Sequence, residues 1–377
     1  MKHFLYADNA ATTRLDIDAF NAMKPYLLED YGNASQPYAF ARKPKKALAE
    51  ARATIARCIG ALPEEIYFTS GGTESDNWAL KCFGSRGDVR KVYTSAIEHH
   101  AVLNACEYAT RLPVDSQGIV SPEVLAKALA PDGSPVPSCL STLVSVMLVN
   151  NEIGTIEPIK ELAAVAHAHN ALFHTDAVQA VGHIPIDVND LGVDMLSASA
   201  HKFNGPKGIG FLYVRKGTPL APYADGGAQE RGMRAGTENV AGIVGMATAL
   251  KKNCDEMRTT TEKLLEMENI FLDNLTRANV DYIRNGALGR VPGNISISIR
   301  GASGEMLLHR LDLMGIAIST GSACDSVNTQ LSHVIRAIGV PREYAQGTVR
   351  ISLGRDNTVE DAAEIAMAIG AVVSHKK

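Results

Sequence analysis

Short apolar stretches rich in β-branched residues recur in the first 215 positions and alternate with segments of helical periodicity. The strand-like stretches are IYFT at 66–69, VYTSAI at 92–97, TLVSVMLV at 142–149, ALFHT at 171–175, VDMLSAS at 193–199 and GFLYV at 210–214. Their near-continuous hydrophobicity is typical of parallel strands that are covered on both faces. Between them, 122–130 and 158–170 begin with proline and have apolar residues at helical spacing. This alternation predicts an α/β lobe that binds ligands at the carboxyl ends of its strands.

The pattern changes from about residue 240. A long helical segment over 240–275 precedes strands near 294–299 and 348–353 and helices near 304–314, 329–338 and 358–373. This mixture predicts a second, smaller α+β lobe. We therefore divide the chain into a large domain over 16–250 and a small domain that combines 1–15 with 251–377.

Composition narrows the class of protein. The chain has 377 residues, 46% of them hydrophobic, and 37 Lys plus Arg against 41 Asp plus Glu give a net charge of −4. Such a balance offers nucleic acids and anionic membranes no overall attraction, and we predict no direct nucleic-acid binding. The N-terminus lacks an apolar signal core and the apolar run at 140–149 is too short to span a bilayer, so we expect a cytoplasmic protein without a membrane contact.

Cysteine spacing indicates neither a metal site nor a disulfide framework. The six cysteines form no CxxC pair and no Cys/His cluster with the spacing of metal ligands. We predict reduced thiols and no bound metal.

The segment SAHKFNGPKGIG at 199–210 suggests covalent chemistry, because it places Lys202 between His201 and a glycine-rich turn. An amine forms a Schiff base only when it is neutral, so a catalytic lysine needs a confined or cation-rich pocket. The alternative is a surface loop with an ordinary solvated lysine.

A second segment, FTSGGTESDN at 68–77, reads as a strand, a turn and the start of a helix. Small residues there let backbone N–H groups approach a phosphate, and Gly72 and Thr73 are the predicted anion cradle. The GKS or GKT ending of a P-loop is missing. A turn of this kind also needs glycine for geometric reasons alone.

Three further strand ends have polar residues. In HTDAVQAVG, Asp176 could pair with a protonated ring nitrogen and Gln179 could hydrogen-bond a ring hydroxyl, although the two residues also fit a helix capping box. His99 could stack on a planar ring or transfer protons, and Asn151 could donate to a cofactor or to a substrate carboxylate. Each could instead be ordinary: a satisfied histidine and turn chemistry.

Taken together, these motifs resemble a known family. They are YADNAATT at 6–13, FTSGGTESDN at 68–77, EHHAV at 98–102, VNNEIG at 149–154, DAVQ at 176–179, SAHKFNGPKGIG at 199–210, RGMRAGTENVAG at 231–242, GSAC at 321–324 and RISLGR at 350–355. In this order they resemble the pyridoxal-phosphate-dependent cysteine desulfurases, the NifS/IscS-like branch of the class V aminotransferase fold. The resemblance implies fold type I, with a mainly parallel seven-stranded sheet in the large lobe, and pyridoxal 5'-phosphate as cofactor.

The resemblance also implies roles for individual residues. Lys202 would be the Schiff-base lysine, Asp176 the partner of the pyridine nitrogen, Gln179 the partner of the ring hydroxyl and His99 the stacking acid/base. The phosphate would be held by Gly72, Thr73, Ser199 and His201, and by Thr237 from the neighbouring subunit of a homodimer. The substrate would be bound by Asn9, Asn33, Asn151 and Arg350, of which Asn151 also contacts the cofactor. Cys324 matches the cysteine that receives sulfur.

The implied activity is conversion of L-cysteine to L-alanine, with a persulfide formed on Cys324 and passed to a sulfur-acceptor protein. The acceptor could serve iron–sulfur clusters or the thiolation of tRNA, DNA or cofactors. A selenocysteine lyase or another class V aminotransferase is the first alternative, although GSAC disfavours a transaminase, which needs no mobile thiol. A non-catalytic scaffold subunit is the second, and intact Lys202, Asp176 and Cys324 disfavour it.

Two departures from the family pattern change the expectations. Asp325 follows Cys324 where relatives usually have Ser or Thr, and an adjacent carboxylate predicts a raised pKa of the Cys324 thiol. The sequence also ends soon after RISLGR, so we expect the longer C-terminal tail of housekeeping relatives to be missing and a dedicated acceptor to replace their iron–sulfur scaffold.

Overall fold

The computed structural model describes residues 4–84, 89–130, 140–321 and 331–374. Its strands are β1 Leu5–Tyr6, β2 Ile66–Thr69, β3 Val89–Ser95, β4 Thr110–Leu112, β5 Leu140–Ser145, β6 Leu172–Asp176, β7 Met195–Ser199, β8 Gly210–Val214, β9 Tyr282–Arg284, β10 Asn294–Ile299, β11 Ile316–Ala317 and β12 Thr348–Ser352. Its α-helices are α1 Ile17–Leu28, α2 Arg42–Cys58, α3 Gly72–Cys82, α4 His100–Leu103, α5 Pro122–Leu129, α6 Ile159–Ala168, α7 Val188–Leu191, α8 Val240–Arg277, α9 Gly304–Leu313, α10 His333–Ala337, α11 Arg342–Ala345 and α12 Val359–Ser374.

The largest sheet has seven strands in the order β2-β8-β7-β6-β5-β3-β4. Neighbouring strands are parallel except at β8, which is antiparallel to both β7 and β2. The prediction of a mainly parallel, seven-stranded sheet is therefore confirmed. The strands β2, β5, β6 and β7 all run in the same direction, so their carboxyl ends meet at one edge of the sheet.

Two smaller sheets lie in the part of the chain where a second lobe is predicted. One is antiparallel, in the order β12-β10-β9, and the other pairs β1 with β11 in parallel. One apolar core packs around the large sheet and includes Phe173, Phe211 and Leu250. A separate core packs around β10 and β12 and includes Phe271 and Ile297. Helix α8 contributes to both cores, and the predicted boundary at residue 250 stays a prediction.

Helix α8 is the long helix that the periodicity predicts, and its 38 residues connect the two cores. The side chain of Asn239 caps it by accepting a hydrogen bond from the backbone N–H of Gly242 at 3.0 Å. Within the described ranges, no helix combines the length and the apolarity that crossing a bilayer would require.

Candidate active site

A cavity of about 470 Å³ opens at the carboxyl edge of the large sheet. Ten of the predicted site residues line it: Gly72, Thr73, His99, Asn151, Asp176, Gln179, Ser199, His201, Lys202 and Arg350. They come from segments that are distant in the sequence, and the parallel strands bring them to one place. The structure therefore joins most of the predicted site into a single pocket.

Lys202 is held at the centre of this site. It ends a short 3₁₀ helix that directly follows β7. Its Nζ donates to the backbone carbonyls of Ala10 at 2.7 Å and Ala11 at 2.8 Å, and a ring nitrogen of His183 lies 2.9 Å from the Lys202 carbonyl. Both ends of the residue are therefore fixed, and the alternative of a loose, solvated surface lysine is wrong.

The start of helix α3 forms one end of the cavity. A side chain at Gly72 would place its Cβ 2.6 Å from the Val178 side chain, and Gly71 has a φ of +151°, so both positions need glycine. The first backbone N–H groups of a helix have no carbonyl partner within it, and the helix dipole favours an anion there. With Ser199 and His201 beside this helix end, the site fits a phosphate ester.

Asp176 is the last residue of β6 and lines the same cavity. It is 4% exposed. Its Oδ1 accepts a hydrogen bond from the Val178 backbone N–H at 2.9 Å. Burial raises the pKa of Asp176 to about 6, against the lowering effects of this hydrogen bond and of the Lys202 charge. The turn after Asp176 is not a helix, so the capping-box interpretation is wrong. A buried carboxylate here fits the N–H of a protonated pyridine ring, which would favour its ionised form.

Two polar side chains next to this carboxylate have defined partners. Gln179 donates from Nε2 to the Ala10 carbonyl at 2.9 Å. His99 caps helix α4, and its Nδ1 accepts from the Ala101 backbone N–H at 3.1 Å. Burial, reinforced by the charge of Lys202, lowers the pKa of His99 to about 4. At neutral pH the ring is therefore uncharged, with its proton on Nε2, and is suited to stacking and to donating one hydrogen bond.

Arg350 is 2% exposed and lines the same cavity. Its Nη1 donates to the Asn151 carbonyl at 2.9 Å and its Nη2 to Asp8 Oδ1 at 2.7 Å. The backbone of Asn151 thus orients the guanidinium, a role that sequence reasoning assigned to neither residue.

Three predicted residues do not line this cavity within their own chain. Asn9 donates its amide to the Ser352 carbonyl at 2.9 Å and lines a smaller neighbouring cavity of about 60 Å³. Asn33 uses its side-chain oxygen to accept from the Ser35 backbone N–H at 2.9 Å. Neither residue lines the large cavity of its own subunit, and a contact of Asn9 or Asn33 with the substrate stays a prediction. Thr237 is exposed on the surface, and a contact across a subunit interface remains a prediction.

Sequence reasoning also missed several residues of the cavity wall, among them Asp76, Met147 and Lys207. Asp76 follows Gly72 by four residues on α3, so helical spacing alone places it on the same face as the anion cradle. Cys324, which the resemblance makes the sulfur-accepting residue, lies outside the described residues.

Comparison with known proteins gives consistent matches. Residues 5–365 match the family model described as aminotransferase class-V. A protein named cysteine desulfurase IscS from Dictyoglomus turgidum is 48% identical over 371 residues, which cover 96% of this chain and 92% of the relative. Among solved structures, a NifS-like protein has a TM-score of 0.89 at 36% identity, with 99% of this chain and all of that chain covered. The structure titled SspA in complex with cysteine has a TM-score of 0.78 at 32% identity, covering 93% of this chain and 99% of that one.

Proposed function

This chain belongs to the class V aminotransferase family, as a pyridoxal-phosphate-dependent cysteine desulfurase, and from that premise we propose how its residues share the reaction. L-cysteine is converted to L-alanine, and its sulfur passes to Cys324 and then to an acceptor protein. The observation that carries the proposal is the placement of Lys202 Nζ in a cavity with a helix N-terminus at one side and the buried Asp176 carboxyl at the other.

That placement assigns the residues that would bind the cofactor. Gly72, Thr73, Ser199 and His201 hold the phosphate, Asp176 pairs with the ring nitrogen, and His99 stacks on the ring. When bound, pyridoxal phosphate supplies an electron sink that stabilises negative charge at the substrate Cα. Lys202 would anchor the cofactor, and its Nζ would accept the proton from the substrate Cα.

Substrate binding is assigned to the guanidinium of Arg350 and to Asn151. The planar fork of an arginine matches a carboxylate, and Arg350 already lies in position through its bond to the Asn151 carbonyl. Holding the carboxylate fixes the Cα–H bond of the substrate toward Lys202.

The sulfur transfer requires a thiolate. The Cys324 thiolate attacks the sulfur of the substrate, an S–S bond forms, and the C–S bond breaks with its electron pair left on the substrate Cβ. That carbon takes up a proton and becomes the methyl group of alanine. The products are L-alanine and a persulfide on Cys324, which an acceptor thiol later attacks.

The active form is proposed to be a homodimer in which Thr237 of one subunit reaches the phosphate of the other. Its support is the exposure of Thr237 and the adjacent contact between the hydroxyl of Ser35 and the carboxylate of Glu238, 3.3 Å apart. This contact places the Asn33 and Thr237 segments side by side on one surface. A cytoplasmic location and an acceptor in iron–sulfur assembly or in thiolation of tRNA, DNA or a cofactor stay predictions.

The test is to incubate the purified protein, loaded with pyridoxal phosphate, with L-cysteine and to measure alanine and protein-bound persulfide. Cys324→Ala should abolish the persulfide and keep the cofactor absorbance, and the control Cys82→Ala, which removes a thiol at the end of α3, should keep both. Pyruvate formed without persulfide would contradict the proposal. A higher kcat/KM for selenocysteine than for cysteine would favour the lyase alternative.

A further inference from the structure

Asp76 is a second carboxyl group in the cofactor cavity. It is 1% exposed and lines the same pocket as Asp176. Its Oδ1 has no hydrogen-bond partner among the residues that the structure describes, and the nearby His174 Nε2 is 3.7 Å away, too far for a hydrogen bond. Burying a carboxylate that has so few hydrogen-bond or charged partners destabilises the folded protein, whereas burying a neutral carboxylic acid costs much less.

The neighbouring histidine provides no positive charge. His174 is fully buried, with Nδ1 2.9 Å from the Ser145 hydroxyl and Nε2 2.9 Å from the Ser197 hydroxyl. Burial lowers its pKa to about 3, so the ring is neutral in the working pH range. The Ser197 hydroxyl is also close enough to Asp76 to lower the pKa of that carboxyl, against the larger effect of burial. The chain from Ser145 through His174 and Ser197 to Asp76 is therefore a series of neutral groups.

Charge on the surrounding elements favours ionisation of Asp176 over Asp76. Asp176 has the Val178 N–H and the charge of Lys202 to stabilise its carboxylate, whereas Asp76 has only the Ser197 hydroxyl. Burial, with added repulsion from Asp176 and Glu98, raises the pKa of Asp76 well above its ordinary value. The facing titratable groups are His174 and Asp176 of β6, Glu98 and His99 before α4, and Lys202 after β7. Two carboxyls in one buried site do not both ionise.

We propose that Asp76 is a positioning residue, a neutral carboxylic acid that retains the proton of the Asp76/Asp176 pair and so leaves Asp176 as the carboxylate for the ring nitrogen. The inference rests on the proposed cofactor site and adds a second carboxyl to it. Asp76 would affect the reaction only indirectly, because it acts through Asp176.

Infrared spectroscopy of the holoenzyme in D₂O at neutral pH tests the protonation state directly. The wild-type spectrum should contain a carboxylic-acid C=O band that Asp76→Asn removes. Glu98→Gln identifies the separate band of that buried acid. Asp194→Asn is the matched control, since Asp194 is a buried carboxyl that bonds to the Phe173 backbone N–H outside the cavity. Loss of only a carboxylate band in Asp76→Asn would overturn the proposal.

Cofactor affinity provides the second measurement. Asparagine is a neutral isostere of a protonated aspartate, so Asp76→Asn should change the dissociation constant of pyridoxal phosphate by less than about tenfold, the equivalent of one pKa unit. Asp176→Asn should weaken binding far more. Equal weakening by the two variants would mean that Asp76 is ionised and would overturn the inference. If wild type itself binds no pyridoxal phosphate, the proposed function fails instead.

A second variant that keeps the Asp76 carboxyl allows the same measurement if Asp76→Asn does not fold. Ser197→Ala removes the hydroxyl that lies beside Asp76, so the acid band assigned to Asp76 should shift in frequency while the Glu98 band does not. An unshifted spectrum would contradict the proposed chain of neutral groups.

Discussion

The guanidinium of Arg350 lies 2.7 Å from the carboxylate of Asp8, so the cation that we assign to the substrate already has an anionic partner. Arg350 is 2% exposed and the Asp8 side chain 19% exposed. A buried cation without a partner strongly destabilises the folded protein. In the substrate-free protein, Asp8 is the partner that removes this penalty. In the proposed substrate complex, the carboxylate of L-cysteine would share the guanidinium with Asp8.

Replacing Asp8 with asparagine should separate these two effects. Asp8→Asn leaves Arg350 without its counter-charge and should lower the free energy of unfolding of the substrate-free holoenzyme by about 1–3 kcal/mol, because one partner of a mostly buried pair is lost. Added L-alanine, a product that supplies a carboxylate without sulfur, should then stabilise the variant more than it stabilises wild type. Urea unfolding with and without alanine measures both.

The control for that measurement is Asp356→Asn, which breaks an exposed ion pair with Arg14. Exposed pairs contribute little, so this change should be nearly neutral and should not alter the effect of alanine. Equal stabilisation of wild type and Asp8→Asn by alanine would contradict the sharing of the Arg350 guanidinium between Asp8 and the product carboxylate.

Arg350→Lys should weaken substrate binding while the positive charge is kept. A lysine cannot form the two-pronged contact, so we expect KM for L-cysteine to rise about tenfold to a hundredfold, the equivalent of one hydrogen bond to a charged group. The cofactor absorbance should not change, because Arg350 is not assigned to the cofactor. Arg14→Lys on the surface is the matched control. A KM equal to that of wild type would remove Arg350 from the substrate site.

The large sheet could be predicted from the sequence because buried parallel strands are marked locally. Stretches 66–69 and 210–214 match β2 and β8 residue for residue, whereas β4, an edge strand of three residues, has too few positions to show a pattern. The site residues at strand ends could be predicted for the same reason, since parallel topology brings strand ends together.

Pairings across long sequence separations could not be predicted in this way. Asp8 and Arg350 are 342 positions apart and meet because an isolated parallel bridge pairs Asp8 with Ser352 at the end of β12. Local patterns also gave no sign that the amide of Asn9 donates to the carbonyl of Ser352, 343 positions away. Asp76 could have been found from helical spacing, but its neutral state depends on burial that only the structure provides.

Glu98 should make the stability of the protein depend on pH. Burial raises the pKa of this fully buried carboxyl to about 8, against the lowering effect of its bonds to Ser95 and the Met147 backbone N–H. A folded-state pKa above the unfolded value of 4.5 gives a contribution that is complete below pH 4.5 and is lost as the pH rises to about 8.

Glu98→Gln cannot ionise and keeps an oxygen for both hydrogen bonds. Its free energy of unfolding relative to wild type should therefore rise by about 1.4 kcal/mol for each pH unit within that window and level off above it. Urea unfolding of both proteins at several pH values measures the difference, in which the other titrating groups cancel. Parallel profiles would show that Glu98 is ionised in the folded protein.

Asp325 follows Cys324 in the sequence, and an adjacent carboxylate disfavours a thiolate. Asp325→Ser should lower the apparent pKa of the Cys324 thiol and speed its alkylation near neutral pH, because a larger fraction is then thiolate. Rates of iodoacetamide labelling against pH, with Cys324→Ala to identify the signal, measure this. Asp325→Asn removes the charge and keeps the shape, so it should act like serine if electrostatics is the cause. An unchanged apparent pKa in both variants would mean that a nearby cation already neutralises Asp325.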